Sequence, residues 1–431
     1  MDFEHSPRAQ AMQQRLDAFM ARYVLPHNAA WHQAVMEGSY PPPFLEDLKT
    51  LAQEEGLWNL FLPGLREDEP GTRLSNLDYA PLAESMGRLP WAAEVFNCSA
   101  PDTGNIELLH RFASPAQRTQ WLAPLLNGDI RSAFAMSEPD VASSDPTNLQ
   151  TTVRRQGDGL LLNGRKWFIT GAAHPNCKLL IVMARNADAE DSTADKHHGH
   201  SLLLLPMDTP GIEVVRNIAV VQHHAPEGHC EIVFRNVRVP ADHLLGGWGE
   251  GFSMAQARLG PGRVHHCMRT IGQCELALEL ASERALERES FGRHLADYAN
   301  VQEWIALTRI EIDQARLLVL RCAWLLDHPE RTDTGNIRAQ VAAIKVVAAG
   351  LQTRVMDRAM QIFGAMGLSP DTPLAYFWTW GRALHLMDGP DEVHLRSVAR
   401  HELTAAKARM GASAAYFTTP EQMRAPPHIG T

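Results

Sequence analysis

Three carboxylates, Asp388, Asp391 and Glu392, surround one glycine-proline corner in the stretch LMDGPDEVHL at residues 386–395. Two interpretations compete for them. An aspartate before Gly-Pro is typical of a turn that opens a helix, with Pro390 in the first turn and the later acids at the positive end of the helix dipole. A carboxylate at a helix start can instead be a catalytic base, because burial and neighbouring charges set its pKa. Local chemistry favours the turn. The choice between a turn and a catalytic base therefore depends on other parts of the chain.

The composition is that of an ordinary soluble globular protein. The 431-residue chain has 45% hydrophobic and 21% charged residues and a formal net charge of −10. Because single cores stop growing near roughly 250 to 300 residues, we expect two or three domains. The negative charge argues against a nucleic-acid partner. No apolar run reaches the roughly 18 residues of a membrane span, so we expect no membrane association.

The six cysteines are widely spaced and form no C-x-x-C pair. This pattern predicts reduced, buried thiols rather than a disulfide framework or a metal site. The N-terminal segment has early acidic residues and lacks the apolar core of a signal peptide, so we expect a cytoplasmic location.

Three composition regimes follow one another along the chain. In the first regime, apolar residues three and four apart predict helices. In the second, five short runs rich in Leu, Ile and Val predict strands. In the third, long stretches of helical periodicity return. The strand runs are LLLNGRKWFIT, KLLIVMARN, SLLLLPM, IEVV and CEIVFRNVRVP. The expected fold is an α+β multi-domain protein: an N-terminal helical domain, a middle β sheet or barrel, and a C-terminal bundle of helices. Expected boundaries are 1–130, 131–247 and 248–410, with a tail at 411–431 and a mobile loop at 186–201.

Three segments together resemble the motifs of one enzyme family. They are AFAMSEPDVASSDPTNLQTTVRRQGDGLLLNGRKWFITGA at 133–172, ERESFGRHLADYANVQ at 287–302, and MQIFGAMGLSPDTPLAYFWTWGRALHLMDGPDEVHLRSVA at 360–399. In order and spacing they resemble the acyl-CoA dehydrogenases. The resemblance implies FAD, an acyl-CoA thioester substrate, removal of hydrogens from its α and β carbons, and an electron-transferring flavoprotein as acceptor. It also implies a four-helix bundle as the C-terminal domain.

The first segment supplies flavin contacts by this resemblance. The backbone at Met136 and the hydroxyl of Ser137 would contact the pyrimidine side, and Ser144 the pyrophosphate. Phe168 stands where the family usually has Trp against the ring, and Thr170 would lie near N5. The loop EPDVASSD is one residue longer than the usual EPGAGSD and lacks its glycines, so the match could shift Ser144 by one position.

The second and third segments imply an oligomer. Arg288, Ser290 and Phe291 match family residues that reach the FAD of a neighbouring subunit, and an arginine fork suits a pyrophosphate. Gln361 and Gly364 match the family's Q-x-x-GG, with alanine in place of the second glycine. The resemblance therefore predicts a homodimer or homotetramer.

The resemblance gives the opening corner a role. Asp388 falls on the Glu of the family's EGT motif, which removes the α-proton, and its backbone N–H would hold the thioester oxygen. An alternative family position for the base, before an arginine at the start of the first bundle helix, is Gly262 here and cannot accept a proton. We expect burial to raise the pKa of Asp388 once substrate is bound, although a helix start lowers it.

Residues next to the base complete the predicted site. Met387 replaces a Tyr of the family and changes the pocket, so it is assigned to the substrate together with Gly389 and Arg263. Pro390 and Glu392 are assigned to the flavin side. The family commonly has Gln at the latter position, and whether Glu392 assists the base or only starts the helix stays open.

Three alternatives remain. The D-G-P-D-E-V-H variant resembles a branch linked to 4-hydroxyacyl-CoA breakdown through a phosphorylated intermediate, so the substrate could carry a 4-hydroxy or 4-phospho group held by His265, His266 or Arg263. Packing roles for these histidines are an equal alternative. A nitroalkane-oxidase-like enzyme of the same fold also uses an aspartate base. A non-catalytic DNA-binding relative is disfavoured, because the C-terminal segment carries few positive charges.

Overall fold

The computed structural model describes residues 4–187 and 198–417. Its first part is helical, as the periodicity predicts. Most of the predicted mobile loop and of the predicted tail lies outside the described residues. The helices of this first part are α1 (Pro7–Phe19), α2 (Asn28–Met36), α3 (Phe44–Glu54), α4 (Asn76–Gly87), α5 (Ala92–Val95), α6 (Asp102–Phe112), α7 (Pro115–Gln117) and α8 (Ala123–Asn127).

Local sequence explains where these helices begin. The Ser6 hydroxyl accepts a 3.0 Å hydrogen bond from the Ala9 N–H, and a proline follows at the first helical position of α1. Ser75 caps α4 in the same way, accepting from the Asp78 N–H at 3.0 Å. The apolar faces of these helices then pack into one large core that also includes residues of the bundle.

The middle part is an eight-stranded sheet with the order β6-β7-β3-β2-β4-β5-β8, and β1 pairs with β4. All five predicted strand runs are confirmed, as β3 to β7. Three more strands of this sheet were missed. β1 and β2 run parallel to β4 and are short, and the second is largely polar. β8 has two residues and pairs with β5. The strands are β1 (Arg131–Ala135), β2 (Thr152–Gln156), β3 (Gly159–Thr170), β4 (Cys177–Asn186), β5 (His200–Pro206), β6 (Ile212–Asn217), β7 (His229–Pro240) and β8 (Leu244–Leu245).

The pairing of β3 with β7 is irregular near the end of β3. The register shifts between Lys166 and Ile169, and beyond this bulge Thr170 lies opposite His229. Phe168, inside the irregularity, has a φ of +51°. A bulge re-aims a side chain that a regular strand would bury or pair. The end of β3 is therefore shaped by an irregularity that periodicity does not predict.

The last part contains the bundle. Four long helices, α9, α10, α11 and α13, pack with the shorter α12, and α11 contacts the other four. A small hairpin, β9 and β10, separates the first two. These elements are α9 (Gly251–Glu287), β9 (Glu289–Ser290), β10 (Arg293–His294), α10 (Ala299–Asp327), α11 (Thr334–Phe363), α12 (Leu374–Leu384) and α13 (Asp391–Ala408).

The placement of Gly262 at the start of the first bundle helix was wrong. Helix α9 begins at Gly251 and continues through the sequence GPG at 260–262. Gly-Pro-Gly is a breaker by local chemistry, but Met254, Ala255 and Val264 on either side of it are buried in the core. Tertiary packing therefore overrides the local signal, and Arg263 lies inside a long helix.

Two glycines bring the N-terminal domain against the bundle. A Cβ on Gly272 of α9 would lie 1.8 Å from the Glu84 carbonyl oxygen, and one on Gly87 of α4 would lie 2.2 Å from the Arg269 carbonyl oxygen. Any side chain at either position would push the helices apart. This close crossing fixes α4 beside the part of α9 that carries the candidate site.

The cysteine prediction is confirmed, since all six thiols are free and buried. Among residues 4–187 and 198–417, no helix is both long and apolar enough to cross a lipid bilayer. Within the same ranges no group of His, Cys, Asp and Glu is arranged to hold a metal ion.

Candidate active site

The carboxylate-rich corner is a left-handed turn between α12 and α13. Asp388 has a φ of +54° and Gly389 a φ of +100°. Pro390 is the N-cap of α13, and no side chain caps this helix. The prediction of a turn that opens a helix is confirmed, with Pro390 one position earlier than expected. The Asp388 carboxylate is not the cap.

Three side chains from three different helices hold the carbonyls of this turn. The Arg263 Nε donates to the Asp388 carbonyl oxygen at 2.9 Å, and the His394 Nε2 lies 3.2 Å from the same oxygen. The Lys345 Nζ donates to the Gly389 carbonyl oxygen at 3.2 Å. A non-glycine residue at positive φ costs about 1 to 3 kcal/mol and persists only where its surroundings determine it. These donors from α9, α11 and α13 are such surroundings.

Lys345 is the buried centre of this arrangement, with an exposed fraction of 1%. Its ammonium also donates to the Leu384 carbonyl and lies 3.9 Å from a carboxylate oxygen of Asp391. The other oxygen of Asp391 contacts the His385 Nδ1. Asp391 is thus used structurally, while Glu392 is exposed on the first turn of α13.

The Asp388 carboxylate faces a different set of groups. Its Oδ2 lies 3.6 Å from the His266 Nε2, and the side chain is 23% exposed, so the cleft is open to a ligand. Burial raises the pKa of Asp388, but His266 and the cations of Arg258, Arg263 and Lys345 together hold it below its usual value. Without substrate the aspartate is therefore ionised at neutral pH. The expected rise of its pKa concerns the substrate complex and stays a prediction.

Three cations act on this carboxylate: Arg258, Arg263 and Lys345. Lys345 is shared with Asp391, and Arg258 is shared with Asp102 and Glu107. Burial lowers the pKa of His266 to about 4, so this ring is neutral near pH 7. An anionic group on a ligand would be stabilised here by the neighbouring guanidinium groups.

Arg258 is held in place by the N-terminal and middle domains. Its Nε donates to the Asn105 Oδ1 at 2.9 Å, and its guanidinium lies 4.4 Å from the ring centroid of Phe134 on β1. The two side chains that position Arg258, those of Asn105 and Phe134, do not titrate. Arg258 therefore links the strand that leads to Met136 with the cleft of Asp388.

His265 and His266, adjacent in sequence, have different environments. His265 is 1% exposed and packs edge-on against Tyr79 and Phe61, with ring centroids 5.1 and 5.8 Å away. Neither of its ring nitrogens has a hydrogen-bond partner in the described part of the chain. This arrangement favours the packing alternative for His265 and leaves His266 and Arg263 in the cleft.

The residues predicted to contact the flavin lie around the end of β3. Phe168 is 43% exposed, an unusual state for a large aromatic side chain inside a sheet. Its positive φ turns the ring outward, 5.0 Å from the ring centroid of Trp167. An exposed aromatic face on strained backbone fits a planar ligand. The Thr170 hydroxyl lies 3.0 Å from the His229 Nδ1.

The loop after β1 presents the other predicted contacts. The Met136 carbonyl accepts from the Lys166 Nζ at 2.8 Å, and the Ser137 carbonyl accepts from the Trp167 N–H at 3.0 Å. Ser143 is engaged within the loop, since its hydroxyl accepts from the Glu138 N–H at 2.8 Å. Ser144 is the exposed hydroxyl. This difference favours the original assignment of Ser144 over its neighbour.

A buried ion pair ties this loop to the sheet. Lys166 and Glu138 lie 2.8 Å apart, and the Glu138 carboxylate also accepts from the backbone N–H groups of Gln150 and Thr151 at 2.6 and 2.9 Å. Burial lowers the pKa of Lys166 to about 8, and Glu138 opposes that change. The pair fixes both ends of the predicted flavin-binding loop.

The residues assigned to a neighbouring subunit's cofactor lie on the surface. Arg288 is exposed, Ser290 is half-buried, and Phe291 at the tip of the β9–β10 hairpin is 98% exposed with a φ of +51°. Gln361 and Gly364 are also exposed, at the end of α11. Gly364 has a φ of +66°, and a Cβ added there would meet open space, so its conformation rather than crowding requires glycine.

Four residues of the site were missed from sequence: Arg258, Lys345, His394 and His229. Only Lys345 had a signal, a single lysine inside the apolar run VAAIKVVAAG, which indicates a buried cation with partners. The other three are ordinary polar residues on helices or strands. Their roles depend on contacts with residues more than fifty positions away or on the opposite side of a turn.

Known proteins share this architecture and these motifs. Family models for the N-terminal, middle and C-terminal domains of acyl-CoA dehydrogenase match residues 6–129, 133–237 and 249–403. The chain belongs to the acyl-CoA dehydrogenase family. The resemblance seen in the three motif segments and the expected fold of two helical domains around a sheet are thereby confirmed. Membership makes it one of a family of oxidoreductases that use flavin.

Individual relatives cover the chain to different extents. FadE2 of Mycobacterium tuberculosis, described as a probable acyl-CoA dehydrogenase, is 49% identical over 96% of this chain and 100% of its own length. Acyl-CoA dehydrogenase family member 10 of mouse is 46% identical over 92% of this chain, and family member 11 of human is 41% identical over 95%. The chain spans 37% and 52% of the lengths of these two animal relatives.

Solved structures agree with this placement. A structure from Mycobacterium abscessus is 48% identical and covers 94% of this chain and 100% of its own, with a TM-score of 0.88. The butyryl-CoA dehydrogenase of Megasphaera elsdenii is 26% identical over 94% of this chain and 100% of its own, with a TM-score of 0.76.

Substitution of Lys345 by Met should destabilise the fold. The Leu384 and Gly389 carbonyls would lose their buried donor and Asp391 its cation, which should cost about 2 to 4 kcal/mol. Urea denaturation followed by circular dichroism measures this cost. Lys178→Met, at an exposed lysine of β4, is the matched control. Equal stability of the two variants would contradict the role given to Lys345.

Glu107 on α6 should make stability depend on pH. It is 6% exposed, one carboxylate oxygen has no hydrogen-bond partner within the described residues, and burial raises its pKa to about 7, against the lowering by Arg111 and Arg258. Because the folded state binds this proton more tightly than the unfolded chain, the stability it contributes at low pH is lost as pH rises from about 4.5 to about 7.

Glu107→Gln removes this titration. Relative to wild type, the variant should gain on the order of 2 to 3 kcal/mol of stability between pH 5 and pH 8. Denaturation curves at several pH values would measure the gain. Glu54→Gln, at an exposed position of α3, should show no such trend. Parallel curves for wild type and Glu107→Gln would show that this carboxyl group titrates normally.

Proposed function

We propose that the protein is an FAD-dependent acyl-CoA dehydrogenase that forms the 2-enoyl-CoA, with Asp388 as the base. The observation that carries the proposal is the Asp388 carboxylate, ionised and 23% exposed on a left-handed turn whose carbonyls are held by Arg263, His394 and Lys345. A base must be unprotonated, reachable and fixed in orientation before it can remove a weakly acidic proton.

The same turn supplies a hydrogen-bond donor for the substrate. The Asp388 carbonyl is engaged by two donors, whereas the Asp388 N–H donates to no backbone acceptor within residues 4–187 and 198–417. A thioester oxygen bound to this N–H would place the α-carbon close to the Asp388 side chain. Charge developing on that oxygen would then be stabilised by the N–H as the proton moves to the carboxylate. Gly389 and Met387 border this position.

The cofactor is assigned to residues that fit a large planar ligand with a pyrophosphate. Phe168 offers its exposed ring, Ser144 its exposed hydroxyl, and Met136, Ser137 and Thr170 lie around them. When bound, FAD supplies the acceptor for the hydride that leaves the β-carbon. Pro390 and Glu392 are assigned to the same side, and the side chains assigned to a neighbouring subunit's FAD are those of Arg288, Ser290, Phe291, Gln361 and Gly364.

The partners follow from this assignment. The nearly complete exposure of Phe291 supports a homodimer or homotetramer, because a second subunit would cover the hairpin. Electrons would pass to an electron-transferring flavoprotein. A cytoplasmic location stays a prediction.

Asp388→Asn is the direct test of the base. The purified protein should bleach its flavin under anaerobic titration with an acyl-CoA, and the variant should lose at least about 10³-fold in the rate of bleaching while keeping its flavin. Asp371→Asn, at an exposed carboxylate before α12, is the control.

Flavin bleaching that persists in Asp388→Asn would show that Asp388 is not the base and that its role is structural. Flavin bleaching by a nitroalkane alone, followed by fast reoxidation in air, would favour the nitroalkane-oxidase-like alternative.

A second candidate is an enzyme of the same fold that acts on 4-hydroxyacyl-CoA or 4-phosphoacyl-CoA. The observation that favours it is the cluster of cations, with Arg258 and Arg263 both acting on the Asp388 carboxylate and His266 at 3.6 Å from it. A phosphate on the acyl chain could pair with one of these guanidinium groups, whereas a plain acyl chain could not. The 4-phospho substrate is the better match to this cluster.

Arg258→Gln should separate the two substrate classes. A charge-assisted hydrogen bond contributes about 1.5 to 3 kcal/mol, so Kd for a 4-phosphoacyl-CoA should rise by roughly 10- to 100-fold while Kd for the unsubstituted acyl-CoA changes little. Arg111→Gln, at an arginine of α6 outside the set of groups around Asp388, is the control. Wild-type preference for unsubstituted acyl-CoA over every 4-substituted analogue would exclude this candidate.

A further inference from the structure

A histidine behind the predicted flavin site has no role in the proposed reaction. His229 is the first residue of β7, is 4% exposed, and lies opposite Thr170 in the register of β3 and β7. Its Nδ1 is 3.0 Å from the Thr170 hydroxyl oxygen. The Nε2 of the same ring has no hydrogen-bond partner within the described residues. Within the described residues, Thr170 is thus the one side chain that forms a hydrogen bond with this imidazole.

The backbone of His229 is fixed by the neighbouring strand. Its N–H donates to the Asn217 Oδ1 at 2.7 Å, and its carbonyl accepts from the Ile218 N–H at 2.9 Å. Asn217 is the last residue of β6, and Ile218 follows it. Because β6 and β3 lie on opposite sides of β7, the histidine is anchored on the side away from Thr170. Its backbone cannot shift without breaking these contacts.

The ring itself is held by the bundle. Trp380 of α12 lies 5.3 Å from His229 between ring centroids, at an angle of 59°. His223 and Tyr376 pack around the same indole, with centroids 6.3 and 5.9 Å from it. This aromatic cluster, His223, His229, Tyr376 and Trp380, joins the middle sheet to α12. Rotation of the imidazole is thereby restricted.

The imidazole is neutral at physiological pH. Burial, with a smaller effect from His223, lowers the pKa of His229 to about 4. The groups that face His229 from the other elements are the Thr170 hydroxyl, the Trp380 indole and the His223 imidazole. A neutral ring makes one hydrogen bond to the hydroxyl, as donor or acceptor according to its tautomer, and either bond restricts the orientation of the hydroxyl.

We propose that His229 is a positioning residue that orients the Thr170 hydroxyl toward the flavin. This inference rests on the proposed function, which places Thr170 near the flavin N5. A threonine hydroxyl otherwise rotates freely about its C–O bond. The imidazole occupies one hydrogen-bonding position of the hydroxyl. The positions that remain are therefore the ones that the hydroxyl can use toward the ligand. The bundle would in this way influence the flavin through Trp380, His229 and Thr170.

The test uses His229→Phe, which keeps an aromatic ring against Trp380 and removes the nitrogen at Thr170. Two properties of the FAD-loaded protein are measured: the midpoint potential of the flavin by dye-equilibrated anaerobic reduction, and the rate of flavin reduction by acyl-CoA in a stopped-flow instrument. Thr170→Val, the double variant Thr170→Val/His229→Phe, and His229→Asn complete the set. His223→Phe, in the same cluster without contact to Thr170, is the packing control.

His229→Phe should slow flavin reduction by roughly 3- to 10-fold, the effect of one neutral hydrogen bond. Its midpoint potential should shift in the same direction as that of Thr170→Val, by up to about 30 mV, which corresponds to tenfold in the equilibrium constant of a two-electron couple. The double variant should equal Thr170→Val alone, because both changes act through one hydroxyl. His229→Asn should restore part of both effects, since its amide occupies the place of Nδ1.

Additive effects in the double variant, or a His229→Phe protein that behaves like His223→Phe, would overturn the inference. The potential is measured without acyl-CoA, so it separates the two proposals. A protein that holds FAD but is bleached by no acyl-CoA would overturn the proposed function and leave the potentials to decide the role of His229. A protein that holds no FAD would overturn both.

Discussion

The site depends on one backbone conformation, the left-handed turn at Asp388 and Gly389. Left-handed backbone is unfavourable for an aspartate, and α13 could begin without it. It persists because Arg263, His394 and Lys345 take the carbonyls of the turn from three helices. With the carbonyls turned toward these donors, the carboxylate and the N–H of Asp388 are left for a ligand. Three helices of the bundle therefore hold the backbone of this one turn.

The same donors set the electrostatics of the cleft. Two of the groups that hold the backbone, Arg263 and Lys345, are cations, so they also lower the pKa of the carboxylate and favour its ionised form. Lys345 acts on both Asp391 and Asp388, and Arg258 and Arg263 add two further cations near the same carboxylate. Structural support of the turn and the low pKa of its carboxylate are thus consequences of one arrangement of charges.

The middle sheet contributes through an irregularity rather than through its regular pairing. The bulge between Lys166 and Ile169 exposes Phe168 and places Thr170 against His229. The buried pair of Lys166 and Glu138 fixes the loop on one side of this strand end, and the aromatic cluster around Trp380 fixes the other. Both the sheet and the bundle therefore meet at the position assigned to the flavin.

The sequence by itself determined the family, the order of helical and sheet domains, the buried thiols and the candidate base. Those features are encoded in contiguous motifs, in apolar periodicity and in spacing, which can be read without knowledge of contacts. Only the tertiary structure decided that α9 runs through Gly-Pro-Gly and that His265 packs in the core while His266 faces Asp388. It also decided that Arg258, Lys345, His394 and His229 belong to the site. The physical reason is that pKa values, left-handed backbone and hydrogen-bond orientation depend on groups brought together from distant parts of the chain.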